Sequence, residues 1–150
     1  MTNSNPSKFT NKELADCYSE LILYFENNTG LSHEKLSTRV KGYRRLCDEL
    51  RLRINSCSTL NEMQNLQLTH PIYQSSQIHF LDVKNNHLKS IFYHLRNAAT
   101  HAHIKRTTRN GNQVWYLIEH KYKSQIKMIA QIKKPDFWEF VSKAKRMKKA

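Results

Sequence analysis

The spacing of apolar residues changes period once along this chain, at His101, and that change limits the possible folds more than any other feature. Before His101 apolar positions recur three and four apart, as on a helix that buries one face; after it they alternate, as on a strand. Leu14, Cys17, Tyr18, Leu21, Ile22 and Phe25 form a first helical stripe, which Asn27-Asn-Thr-Gly30 ends. It opens with Thr10-Asn-Lys-Glu13, a capping box in which the threonine holds the Glu13 amide and the glutamate reaches back. A second stripe begins near Ser32 with Leu36, Val40, Tyr43, Leu46, Cys47, Leu50 and Ile54, a spacing suited to antiparallel bundle packing. Another capping box, Thr59-Leu-Asn-Glu62, opens a short helix carrying Leu60, Met63 and Leu66, and His70-Pro71 breaks it. The stretch 72–80 has no clear period. A long helix then runs from about Leu81 to His101, with Leu88, Ile91, Phe92, Leu95, Ala98 and Ala99 facing inward.

Beyond His101, Asn110-Gly111 is the dipeptide preferred in a two-residue hairpin turn, because both positions tolerate positive φ. Ile104–Arg109 and Asn112–His120 flank it. Gln125–Ile132 is a third candidate strand whose imperfect alternation also suits a helix, and Pro135-Asp136 opens a last helix with Phe137, Trp138, Phe140 and Val141. The expected organisation is a loose N-terminus over 1–9 and one domain over 10–150. That domain comprises a helical part (about 10–101), a β-hairpin (about 103–121) and a C-terminal helix (about 136–147). At 150 residues it can bury roughly two-thirds of the surface its unfolded chain exposes. Only three glycines and three prolines argue against a turn-dense all-β fold. The fold class expected is therefore mainly α: an antiparallel helical bundle with a β-hairpin, and a possible third strand, after the long helix.

Charge is the first functional pointer. Lysine and arginine total 25 against 12 acidic residues, a net charge of +13. Residues 102–150 alone hold thirteen basic and three acidic residues. Such a field attracts polyanions, and nucleic acid is the commonest one in a cytoplasm. Three cysteines, two of them on apolar helical faces, read as reduced thiols in a cytoplasmic protein. No run reaches the length of a membrane span, and MTNSNPSKFT lacks the pattern of a secretory signal, so no membrane association is expected. Neither Cys-x-x-Cys, His-Glu-x-x-His, Gly-x-Ser-x-Gly nor a phosphate-cradling glycine loop occurs. His87, His94 and His101 recur seven apart, about 10 Å per step along a helix, too far to share one metal ion. No metal or cofactor is expected, and the three histidines read as a groove-lining or interface stripe.

The informative segment is Tyr93-His-Leu-Arg-Asn-Ala-Ala-Thr-His-Ala-His103. A guanidinium can grip a phosphate through two parallel hydrogen bonds, and an imidazole, with a pKa near ~6.5 in water, can accept or donate a proton at neutral pH. Together they suit RNA cleavage without a metal, in which the 2′-hydroxyl attacks the adjacent phosphorus and leaves a 2′,3′-cyclic phosphate. Arg96 followed directly by Asn97, with His101 five residues after Arg96, resembles the R-N-x-x-x-H signature of HEPN domains (higher eukaryotes and prokaryotes nucleotide-binding). Many of these are metal-independent ribonucleases. The resemblance rests on about ten residues. It implies a HEPN-like bundle, phosphate and transition-state stabilisation by Arg96, acid–base work by His101 and an orienting or phosphate-binding role for Asn97. It further implies a homodimer whose two motifs form one composite cleft, a toxin or anti-phage role, and an antitoxin or sensor partner.

Positions five apart on an ideal helix diverge by about 140°, so a helix ending near Thr100, or a second subunit, must bring Arg96 and His101 together. His103, seven residues after Arg96, is the alternative histidine. Some HEPN toxins carry, two residues after the histidine, a tyrosine on which a partner adds nucleotides; His103 stands there in this chain. Lys105, Arg106 and Arg109, with Trp115, Tyr116, Lys121 and Lys123, are candidate RNA contacts, since bases stack on aromatics while cations meet phosphates. Trp115 and Tyr116 alternate sides of a strand, so at least one belongs to a core. The rival readings are a non-catalytic nucleic-acid or nucleotide-binding module, and a structural role in which Arg96 and Asn97 cap the end of their own helix.

Overall fold

The structure is a computed structural model that describes residues 6–23, 41–69, 75–83, 87–109 and 111–146. A two-residue strand β1 (Ser7–Lys8) precedes α1 (Asn11–Cys17), which runs on as a π-helical segment, Tyr18–Leu23. Then come α2 (Lys41–Glu49), β2 (Arg53–Cys57), α3 (Leu60–Thr69), β3 (Gln77–Leu81) and α4 (His87–Thr100). The chain finishes with β4 (Ile104–Arg109), β5 (Gln113–Tyr122), β6 (Gln125–Lys133) and α5 (Lys134–Ala144). Among the described residues the strands form one six-stranded sheet in the order β1-β4-β5-β6-β3-β2. β2 and β3 are parallel and the other neighbours antiparallel.

This overturns the mainly α helical bundle: the fold is mixed α/β, with helices laid on a sheet. Two sequence stretches account for the difference. The second helical stripe does not continue to Ile54. It stops at Glu49, where Leu52 N–H donates to the Cys47 carbonyl (2.8 Å) and Arg51 N–H to the Asp48 carbonyl (3.1 Å). These two bonds, with Arg51 at φ 52°, make a Schellman termination. The chain leaves it as β2, so Ile54 is a strand residue. The second stretch is 72–80, whose end forms β3, buried at every position from Gln77 to Leu81. Leu81 therefore closes a strand, and the long helix begins at His87.

The hairpin and the third strand form as β4, β5 and β6, with β6 pairing to both β5 and β3; Arg109 pairs with Gln113, so the hairpin connection spans three residues and not the expected two. Ser7 and Lys8, expected to be loose, pair with Arg106 and Lys105, and Phe9 is buried. The expected features at Phe25, Asn27–Gly30, Ser32, Leu36, Val40, Pro71 and Asn110 lie outside the described residues. The Thr10–Glu13 capping box is present. At the second box Thr59 caps the Glu62 amide, while the Glu62 carboxylate reaches the Ser58 amide (2.8 Å).

One face of the sheet carries Ile78, Phe80, Tyr116, Ile118, Met128, Ala130 and Ile132 into a core shared with the helices. α4 adds Leu88, Ile91, Phe92, Leu95 and Ala98, α5 adds Phe137, Phe140 and Val141, and Cys17 and Leu21 close one end. Each fully buried Phe or Leu here contributes about 1.5–3 kcal/mol. α3 packs through Met63 against Cys57 and Leu81 on the opposite face. The first stripe is only partly a core face: Cys17 and Leu21 are buried, while Leu14 and Tyr18 are 42% and 54% exposed. A buried Glu13 takes the place one turn before Cys17. Cys17, Cys47 and Cys57 are all free thiols. No helix among the described residues is long and apolar enough to cross a membrane.

Candidate functional site

The motif lies where α4 ends, and the way it ends decides which side chains meet. His103 N–H donates to the Ala98 carbonyl (2.9 Å) and Ala102 N–H to the Ala99 carbonyl (3.2 Å), with Ala102 at φ 57°. This is a second Schellman termination, and again the left-handed position is not glycine. The helix stops at Thr100 and the chain reverses into β4. Glu119 N–H donates to the His103 carbonyl (3.0 Å), tying the turn to β5.

A cleft of about 320 Å³ opens beside this turn, lined by Tyr93, His94, Asn97 and His101 from the helix end and by His120 and Lys127 from the sheet. Val83 and Tyr122, 44% and 58% exposed, form its rim. Asn97 and His101 are four residues apart and so share one helix face. Arg96 stands outside the cleft: its Nη1 donates to Asn97 Oδ1 (2.7 Å). With Oδ1 taken, Asn97 has its amide N–H groups to offer to an anion in the cleft.

His103 is placed elsewhere. It lines a neighbouring cleft of about 390 Å³ with Lys105, Glu119 and Lys121, although its ring lies 6.2 Å from that of His101. Of the five cations expected to contact RNA, Lys105 and Lys121 line this second cleft, and Arg106, Arg109 and Lys123 line neither. Arg106 forms an ion pair with buried Glu13 (3.1 Å), and Arg109 is half-buried at the end of β4. Trp115 and Tyr116 are both buried, on opposite faces of β5, so neither offers a ring to a base. Lys133 sits over the Trp115 ring at 5.6 Å, and the Tyr116 hydroxyl accepts from Trp138 Nε1 (3.0 Å).

Two histidines form the floor of the first cleft: His94, expected as part of a groove-lining or interface stripe, and His120, which sequence reasoning left without a role. His94 Nδ1 and His120 Nδ1 are 2.7 Å apart, and His94 Nε2 lies 2.7 Å from the Leu81 carbonyl oxygen. Burial, with Lys127 and His101 nearby, pushes the His120 imidazole down to about 4. Burial also takes His94 to about 4, helped by His120 and Lys127 and opposed by its hydrogen bond to Leu81 and by Asp82. Both rings are therefore neutral at pH 7. His94 belongs to the seven-residue histidine stripe, two members of which line this cleft; the third, His87, lies 3.8 Å from Asp82. His120 could have been found from strand parity, since it follows Tyr116 and Ile118 on the inward face of β5. Tyr122, with Lys123 5.5 Å from its ring, is the exposed aromatic that Trp115 and Tyr116 were expected to supply.

Among the described residues no three His, Cys, Asp or Glu side chains are placed to hold a metal ion. The chemistry open to the cleft is that of imidazoles, an amide and ammonium groups. No protein-family model, no curated protein and no solved structure matches this chain.

Proposed function

We propose that this chain binds single-stranded RNA across the cleft at the end of α4 and cleaves it without a metal, through 2′-hydroxyl attack to a 2′,3′-cyclic phosphate. The observation that carries the reading is the convergence of His101 and Asn97 with further imidazoles and Lys127 in one cleft beneath an exposed tyrosine. Imidazoles move the protons, the Asn97 amide and Lys127 meet the phosphate, and Tyr122 offers a stacking face flanked by Lys123. The HEPN resemblance supports the same activity through Arg96, Asn97 and His101 alone, since a sheet stands where the family's bundle would be. A homodimer, an antitoxin or sensor partner, a role in defence and a cytoplasmic setting accompany this reading as that resemblance and the free thiols suggest.

A specific observation favours the rival binding module: Arg96 is engaged by its own neighbour Asn97 and does not line the cleft. Incubation of RNA with purified protein in excess EDTA, followed by end-group analysis, separates the two. Cleavage to cyclic phosphate ends that falls 10²- to 10⁴-fold in His101→Ala is the expected result. RNA binding without cleavage, weakened in Lys127→Ala, establishes the binding module instead.

A further inference from the structure

We infer that His120 is the second acid–base group of this cleft and that His94 is its positioning residue, so that one chain carries a complete proton-transfer pair. The inference rests on the ribonuclease reading and adds to it a residue, a tautomer and a direction of proton flow.

The tautomer follows from hydrogen-bond accounting. A carbonyl oxygen only accepts, so the contact with Leu81 places the proton of His94 on Nε2. A neutral His94 then has a lone pair on Nδ1, and the 2.7 Å contact requires His120 Nδ1–H to donate to it. His120 is left with its lone pair on Nε2, the nitrogen it can offer to a ligand in the cleft that it lines. The chain of a backbone carbonyl, an orienting ring and a working ring does what a carboxylate does for a catalytic histidine: it fixes the tautomer and the ring plane. His120 is 8% exposed and His94 fully buried, so rotation of either ring would leave a buried N–H without an acceptor.

The surroundings set the role. Lys127 on β6, His101 and His103 in the turn after α4, and Tyr93 and His94 on α4 face the His120 ring, and Asp82 beyond β3 acts on His94. Burial and Lys127 keep the resting ring neutral, so it enters the reaction with its Nε2 lone pair unprotonated, as a weaker base than a free imidazole. In the step proposed, His120 Nε2 takes the proton of the 2′-hydroxyl as O2′ bonds to phosphorus. The bond from phosphorus to O5′ breaks, and protonated His101 delivers its proton to the departing O5′. The products are a 2′,3′-cyclic phosphate, a 5′-hydroxyl, an imidazolium at His120 and a neutral His101, and exchange with water restores both rings.

The test uses the full chain, a fluorescent single-stranded RNA oligonucleotide and excess EDTA. His120→Gln is expected to lower kcat at least 100-fold while KM changes less than 3-fold. His94→Gln is expected to lower kcat about 10-fold and to shift the acid limb of the pH–rate profile, which loss of packing alone would not do. Long-range ¹⁵N–¹H correlation of the wild-type imidazoles checks the part that does not depend on activity: protons on His120 Nδ1 and His94 Nε2 are expected, and a proton on His120 Nε2 in place of Nδ1 overturns the inference. A 1:1 mixture of His101→Ala and His120→Gln is expected to stay inactive, because neither chain carries both rings. Wild-type cleavage retained within 3-fold in His120→Gln overturns the inference and leaves the ribonuclease reading standing, as does activity restored on mixing. Absence of cleavage by the wild-type chain, with RNA still bound, removes both.

Discussion

Tyr116 and His120 lie four residues apart on the same face of β5, yet each anchors a different kind of buried polar network. At Tyr116 the network is charged and closed. Glu13 Oε1 accepts from the Thr10 amide (2.9 Å) and pairs with Arg106, while Oε2 accepts from the Tyr116 hydroxyl and pairs with Lys134 (3.3 Å). Burial alone would raise this carboxyl, but the Tyr116 hydroxyl, the Thr10 amide, Arg106 and Lys134 together hold it below its ordinary range. At His120 the network is neutral and open, two rings against one carbonyl, with an acceptor nitrogen remaining at the edge of a cleft. Where every lone pair is satisfied a buried network locks segments together; where one is left over, the network can do chemistry.

The largest expected effect that tests this contrast is Glu13→Ala. Removing a buried carboxylate from two cations destabilises by about 3–5 kcal/mol, reduced here to about 2–4 because Arg106 and Lys134 reach water. Urea unfolding would register that loss, while RNA cleavage by the folded fraction should stay intact. An equal loss of cleavage per folded molecule would merge the two networks into one.

Acid should separate them next. His94 and His120 titrate lower in the folded chain than unfolded, so the unfolded chain binds more protons between about pH 6.5 and 4. The stability they contribute is present above about pH 6.5 and falls toward pH 4. The depressed Glu13 carboxyl keeps its full contribution only above its ordinary pKa of 4.5 and loses it as the pH falls further. Thermal unfolding of wild type and Glu13→Gln across pH 5–7 should therefore give parallel slopes. A slope absent from the wild type would deny that the imidazoles are neutral.

Tyr122→Ala is a smaller, purely functional change at the open end. With an exposed ring lost, stability should move by less than about 0.5 kcal/mol, while oligonucleotide affinity falls by about 1–2 kcal/mol in a binding titration. Smallest is Ala102→Gly, which relieves the positive φ at the motif turn and should raise stability by about 0.5–1 kcal/mol in the same urea experiment.

Legibility along the chain tracked how far local signals decide the outcome. The alternation around Asn110-Gly111 marked β4 and β5, but not the length of their connection, since Arg109 pairs with Gln113 and three residues, not two, join the strands. Arg96, Asn97 and His101 were legible as a motif, and two of the three share the cleft. The first Schellman end was not legible, since Arg51 occupies the position where glycine normally announces a stop; the second, at Thr100, was placed within a residue by the change of period although Ala102 stands at its left-handed position. Missing the first merged α2 with β2 and turned a sheet edge into bundle. β3 was hidden for another reason: a five-residue strand buried on both faces has no period to read, and its Gln77 and His79 suggest surface. His120 was hidden because its value comes from His94, twenty-six residues away in sequence.

The closed network also has a kinetic consequence. Glu13 finds Tyr116 across 103 residues, Ser7 pairs with Arg106 across 99, and Lys145 reaches Glu20 across 125. The segment around α1 thus has these partners in β4, β5 and α5, which the ribosome makes about a hundred residues later. Until they emerge, α1 and its π-helical continuation, thirteen residues together, lack these partners, and a helix so short is marginal in water. Folding therefore commits late and in one cooperative step, at the slow pace set by contacts of such long range.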